Sequence, residues 1–482
     1  MHAPKSVVLA IAAAFLLLTL GGCLDDSGSA SYKKVAGGKA AGAAPELPKP
    51  ITAVTPIAPN VLVSPAGHRM AEFMVARNPL DANHLILAAH DYDHLGTGTL
   101  SCVLYVSRDG GASWKQSNPI PGLNRPHLQF DGWVSFDMSG VAHFVCLDYD
   151  RFNPAPQTWA YYSNSDDGGM TWKPATVVQP MGGCDKTSLH AARDGRVYLM
   201  CSSRITRTDD GGKTWLPVVP GDGGGANGFA EDNLGTLYVM TRGGVSRSFD
   251  RGDTWKRVPV GPFRVPTGYD DTTRWVRQEP WTTLPSLAIS PVTQHVFVAQ
   301  QSWSTAKNAF EATVYVSENS GTNYTVASVP LFKSATCQGC SVTKPSVHVD
   351  DAGRLGLLVQ LVNDGGHVKE VMFTASSDEG KTWVEPVVLS KTAPPNGWAN
   401  PRTFTPNAAG AATLATYLAG NPTDAPNVAV GVALTTAVQE LQMRWNGEYW
   451  GLSSSPNGFV VPWIDHSNNG APQVFSRLVA AE

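Results

Sequence analysis

Apolar residues in this chain recur in short β-type runs separated by polar, glycine-rich turns, with few stretches of helical period. Phe73-Met-Val-Ala is followed by Leu85-Ile-Leu-Ala, Trp133-Val-Ser-Phe by Ala142-His-Phe-Val, and Thr187-Ser-Leu-His by Val197-Tyr-Leu-Met. Gly228-Phe-Ala precedes Leu237-Tyr-Val-Met, Ser286-Leu-Ala-Ile precedes Val296-Phe-Val-Ala, and Ser346-Val-His-Val precedes Leu355-Gly-Leu-Leu-Val. Two later units read Arg402-Thr-Phe-Thr, Ala412-Thr-Leu-Ala, Val428-Ala-Val-Gly and Trp450-Gly-Leu, Phe459-Val-Val-Pro-Trp, Val474-Phe-Ser. The last is one strand short, and Val61-Leu-Val is placed to complete it and close a ring. The pattern predicts an all-β chain of four-stranded antiparallel blades, eight by this count and seven if a terminal unit is a decoration.

One turn punctuates the first six units. Thr208 to Trp215 reads T-D-D-G-G-K-T-W, and Ser107–Trp114, Ser165–Trp172, Ser248–Trp255 and Ser376–Trp383 share the frame S/T-x-D-x-G-x-S/T-W. Ser317–Tyr324 is a worn copy, S-E-N-S-G-T-N-Y. An Asp carboxylate that accepts nearby N–H groups and a Gly with positive φ make a tight turn, and the closing Trp is large enough to pack between sheets. Each copy is expected between the last two strands of a blade.

This frame resembles the Asp-box (BNR repeat) of sialidases and related β-propellers, and the resemblance implies a sialidase-like propeller. It implies little about activity, because in that family the motif is a structural turn. The ending Glu448-Tyr449-Trp450-Gly451-Leu452 resembles that of a broad group of bacterial Asp-box proteins.

Near-balanced charge, 36 basic against 40 acidic residues, and the lack of a basic stripe argue against nucleic acid as a partner. Lys5 precedes the apolar run Val7–Leu20, then Gly21-Gly22-Cys23. This reads as a signal peptide over 1–22. Leu-Gly-Gly-Cys resembles a bacterial lipobox, which implies a lipid on Cys23 and an envelope protein, on the outer membrane, periplasmic or surface-exposed. Residues 23–58, poor in aromatics, read as a flexible tether, and 59–482 as a single propeller domain. Cys102, Cys146, Cys184, Cys201, Cys337 and Cys340 form an even set in an exported chain and predict three disulfides, with pairing open. Cys337-Gln-Gly-Cys340 has the spacing of a redox or zinc motif, but no thioredoxin-like pattern surrounds it, so a structural staple is the reading preferred.

Propeller geometry sorts the loops: the repeated turns occupy one face and the long, varied loops, with all six cysteines, the other. The longest, Val258–Thr283, carries Arg264, Tyr269, Arg274, Trp275, Arg277 and Trp281. Arginine forks grip carboxylates and aromatic faces stack on sugars, so this loop is a candidate glycan or protein surface. The plain alternative is a loop folded on its own tryptophans. The sialidase resemblance further implies a Tyr nucleophile, a Glu partner, an Asp acid/base and carboxylate-binding arginines. Tyr449, Glu279, Asp93, Arg69 and Arg402 occupy the matching positions, although the motif around Arg69 is reduced to the Arg. Phe263-Arg264-Val265-Pro266 matches that motif in the wrong blade. The expectation is therefore a binding propeller, with an exo-sialidase as the alternative, and no cofactor. A structural calcium is left open, although the Asp-rich turns lack the alternating ligands of a calcium loop.

Overall fold

Every blade sequence is β-forming, and every sheet in the structure is a short antiparallel meander. The computed structural model describes residues 47–94, 100–123, 125, 127–150, 157–220, 228–241, 244–261, 284–335, 337–362, 368–391, 449–465 and 472–482. Within them lie seven antiparallel sheets, each with its first strand innermost. Blades 1 to 6 span 70–116, 128–182, 187–220, 229–259, 286–328 and 341–391.

Blade 7 is built from both chain ends. Ser453–Ser455, Gly458–Asp465 and Gln473–Ala481 supply three strands, and Val54–Pro56 pairs outside the last, Val54 opposite Ala481. Val61–Leu62 adds to the same strand, opposite Ser476 and Phe475, so the closure expected of the Val61 run holds. The stretch read as tether thus contains a strand at 54–56. Pro56 is tolerated there because the strand is outermost, with one edge unpaired.

Neighbouring innermost strands touch all the way round, from blade 1 to blade 7 and back to blade 1. Blade 6 packs directly on blade 7: the Phe373 and Phe459 rings are 5.1 Å apart. The ring therefore has seven blades, not eight. The unit expected over 402–431 lies outside the described residues. The apolar core sits between blades, as in the cluster of Ile86, Leu104, Val106, Val134 and Phe144 joining blades 1 and 2. Second strands such as Val197–Cys201 and Leu355–Val362 are buried at every position, because each blade is covered on both faces.

All six octapeptides join the third strand of a blade to the fourth. In the copy at 165–172, the Ser165 hydroxyl donates to Asp167 (2.8 Å) and accepts the Gly169 N–H (2.8 Å). Asp167 in turn accepts the Thr171 N–H (3.0 Å) and hydroxyl (2.5 Å). The worn copy keeps this scheme with Asn319 for Asp: Ser317 donates to its Oδ1 (2.9 Å) and the Asn323 N–H follows (3.2 Å). The fourth position is left-handed as well as the fifth, and it holds Gly in three copies but Arg251, Ser320 and Glu379 in the others. The closing Trp staples blades: Trp172 Nε1 donates to Ser117 at the edge of blade 1 (2.9 Å), Trp383 Nε1 to Ser328 on blade 5 (2.7 Å), and Trp114 Nε1 to Ser476 on blade 7 (2.9 Å).

Candidate functional site on the face opposite the turns

The innermost strands deliver a set of charged residues to the upper mouth of the ring, the end opposite the octapeptides. Glu72, Asp131 and Lys344 each sit at a register shift of the first strand of blades 1, 2 and 6, and Lys186 immediately precedes that of blade 3. Counted from the strand pairing, the four positions are equivalent. All are left-handed, with φ of 37°, 54°, 54° and 64°. A bulge re-aims a side chain and is enriched beside functional sites. Four charged residues held this way, rather than glycine or asparagine, make the mouth polar at a cost in backbone strain.

His90, on the second strand of blade 1, lies between the two acids. Its Nδ1 is 3.4 Å from Glu72 Oε2, and its Nε2 accepts the Gly132 N–H at 3.3 Å. Full burial, with the nearby Lys186 charge, pushes the imidazole down to about 3, so it is neutral at physiological pH. Asp131 accepts the Lys186 N–H at 3.0 Å, and the Lys186 ammonium lies 3.7 Å from its carboxylate. One ligand atom each of Glu72, His90 and Asp131 falls within 4.8 Å of the others, a spacing that could hold a cation. Lys186 already supplies positive charge there. One imidazole with two carboxylates is also a poor match for calcium, which takes six to eight oxygens.

Two of the sequence candidates meet at the rim of this mouth. Arg69 Nε and Nη2 donate to the two oxygens of Asp93 at 2.9 and 2.7 Å, and the Arg69 N–H reaches Asp93 Oδ2 at 2.8 Å. The fork is closed on a partner within its own blade. Next to it His68 donates to Asp91 (2.8 Å). Burial lowers this imidazole, but the Asp91 hydrogen bond and the charges of Asp91 and Asp93 outweigh it, and the net shift is upward.

Tyr449 is brought to the axis but is 2 % exposed. Its ring lies 5.8 Å from that of Trp133, in an apolar cluster with Met74, Leu189 and Leu284. These residues come from blades 1, 2 and 3 and the lead-in to blade 5, which share only the centre of the ring. Glu279, Arg402, Arg264, Tyr269, Arg274, Trp275, Arg277, Trp281 and Cys23 lie outside the described residues.

The cysteines pair as Cys102–Cys146, tying blade 1 to blade 2, Cys184–Cys201 at the rim of blade 3, and Cys337–Cys340 in the loop entering blade 6. All three are on the upper face, as the sorting of the loops predicted. A pocket of about 540 Å³ opens beside the last of them, between blades 5 and 6, lined by Phe310, Leu331, Phe332 and Val342 with Lys307, Glu311 and Lys333. Sequence reasoning missed both this pocket and the bulged quartet. Asp131-Gly132 and Lys344-Pro345, breaker pairs inside otherwise apolar runs, were the available signal for the latter.

No family model and no curated protein matches the chain. Among solved structures, it is similar to the intramolecular trans-sialidase of Ruminococcus gnavus in complex with oseltamivir carboxylate, at 14% identity and a TM-score of 0.46, covering 68% of this chain and 99% of that one. It is similar to YCF48 from Cyanidioschyzon merolae at 15% identity and a TM-score of 0.43, covering 70% and 90%. A protein of unknown function from Dyadobacter fermentans matches at 15% and 0.43, covering 67% and 99%. Similarity at this level concerns the propeller fold and leaves activity undetermined.

Proposed function

We propose that this chain is an exported propeller, lipid-anchored through Cys23 in a bacterial envelope, that binds a glycan or a protein partner on its upper face without hydrolysing it. The observation that carries the reading is the closed fork of Arg69. An arginine meant to grip a substrate carboxylate has its bidentate donors spent on Asp93, and Asp93, the candidate acid, has both oxygens engaged by the same guanidinium. Burial of Tyr449 among apolar side chains points the same way, since a nucleophile must reach its substrate.

On the lower face the Asp carboxylates of the repeated turns are consumed inside their own turns. The upper face carries longer loops, the disulfides and a pocket that mixes aromatic and charged side chains. Three disulfides suit an oxidising compartment. The test is turnover of a fluorogenic sialoside by the full chain. None is expected above the buffer rate. Turnover that disappears in Tyr449→Phe would overturn this reading in favour of a hydrolase.

A further inference from the structure

On the lower face, adjacent blades that both carry an octapeptide form a notch between them. Three positions furnish it: the residue preceding the second-strand residue that pairs with the first position of the blade's octapeptide, the second position of that octapeptide, and the fourth position of the next blade's octapeptide. Between blades 3 and 4 these are Arg196, Asp209 and Arg251, and Arg196 Nε donates to Asp209 at 3.1 Å. Between blades 1 and 2 they are His84, Arg108 and Gly168; His84 Nε2 meets the Gly168 carbonyl at 2.8 Å, and Arg108 donates to the Asp167 carbonyl at 2.7 Å. Each of these notches contains a guanidinium.

Between blades 5 and 6 the same positions are His295, Glu318 and Glu379. Two carboxylates and an imidazole converge, and among the described residues neither carboxylate reaches a lysine or arginine. Glu379 is 6 % exposed, and its backbone is held at a φ of 62°, where three other copies use glycine. Its Oε1 lies 2.6 Å from His295 Nδ1, yet the two atoms do not meet along a hydrogen-bond direction, and both are buried without a hydrogen-bond partner. A ligand atom of Glu318 completes a set within 4.8 Å, and Glu318 is exposed, which leaves a way in from solvent.

We propose that His295, Glu318 and Glu379 bind a divalent transition-metal cation, zinc being the probe of choice, which clamps blade 5 to blade 6 where the notches between blades 1 and 2 and between blades 3 and 4 use a guanidinium. One imidazole nitrogen and two carboxylate oxygens suit zinc, with water as a fourth ligand, better than calcium. The clamp falls on the blade whose octapeptide is worn, with Asn319 and Tyr324 in place of Asp and Trp. This inference is independent of what the upper face binds.

The experiment is calorimetric titration of the tag-free, chelator-stripped full chain with zinc chloride, alongside thermal unfolding with and without zinc. One equivalent should bind in the micromolar range and raise the unfolding midpoint. Two substitutions patterned on the protein's own notches separate binding from folding. Glu379→Gly installs the residue that three copies carry, and His295→Arg installs the guanidinium of the blade 3 notch. Both should keep the metal-free midpoint while weakening zinc binding by about tenfold or more. Absence of zinc binding by the unsubstituted chain would overturn the proposal. So would undiminished binding in both variants, which would move the metal elsewhere, for instance to Glu72, His90 and Asp131.

Discussion

Gly211 and Gly212 are adjacent, both left-handed (φ 73° and 90°), and indistinguishable as letters in the sequence. Their surroundings differ. A Cβ on Gly211 meets nothing within 4 Å, whereas one on Gly212 lands 2.0 Å from Cε1 of Tyr162 in the preceding blade. Tyr162 cannot readily yield: it is buried, and its hydroxyl is 2.6 Å from His143 Nδ1. Gly211→Ala therefore carries only the left-handed penalty, about 1 kcal/mol. Gly212→Ala carries the same penalty plus overpacking of about 1–3 kcal/mol, for a total of about 2–4 kcal/mol. Urea unfolding followed by tryptophan fluorescence should rank the two variants in that order. Adding Tyr162→Leu to Gly212→Ala should make the pair non-additive, recovering about 1 kcal/mol or more of the glycine's cost. Two glycine variants equal within about 0.5 kcal/mol, or a strictly additive double variant, would refute the claim that the fifth turn position is a blade-packing contact.

Other outcomes follow from the same structure. Hydrogen bonds within the turns outweigh desolvation and hold the carboxyls of Asp109, Asp250 and Asp378 below their usual range, and that of Asp167 down to about 2. A folded-state pKa below the unfolded one gives stability that is present above about pH 4 and lost as pH falls toward 2. Burial also lowers His90 to about 3 and His348 to about 4, and because these buried imidazoles must stay neutral, stability should begin to fall below about pH 6.5. Unfolding midpoints measured from pH 7 to 2 should decline in both ranges, and Asp167→Asn should shrink the drop below pH 4. Replacing Cys102 and Cys146 together by alanine should cost about 2–4 kcal/mol in urea, since it removes the covalent tie between blades 1 and 2. Cys23→Ala should release the protein from membranes, as fractionation would show.

The sequence by itself determined what is encoded within a few residues. The recurring apolar runs and the octapeptide specified four-stranded blades, the place of each turn between third and fourth strands, and the face that carries the cysteines. Each follows from period-two patterning or from hydrogen bonds closed within five residues, as from Ser165 to Gly169. It also marked Val61 as the closing strand, because the last unit was visibly short. Only the tertiary structure decided what depends on residues meeting across the ring. Apolar runs could be counted but not placed, so seven blades emerged where the pattern suggested eight, and Val54–Pro56 proved to be a strand because Gln473–Ala481 offered it an edge. Arg69 and Asp93 were both legible as candidates, but their closure on each other was not, since it requires two strand ends 24 residues apart to meet at the rim. Likewise Glu72, Asp131, Lys186 and Lys344 share one mouth because ring closure brings equivalent positions of separate blades together, and His295, Glu318 and Glu379 share one notch because blade 6 packs beside blade 5. No local pattern records either meeting, and so the protein's most specific chemistry became readable only in three dimensions.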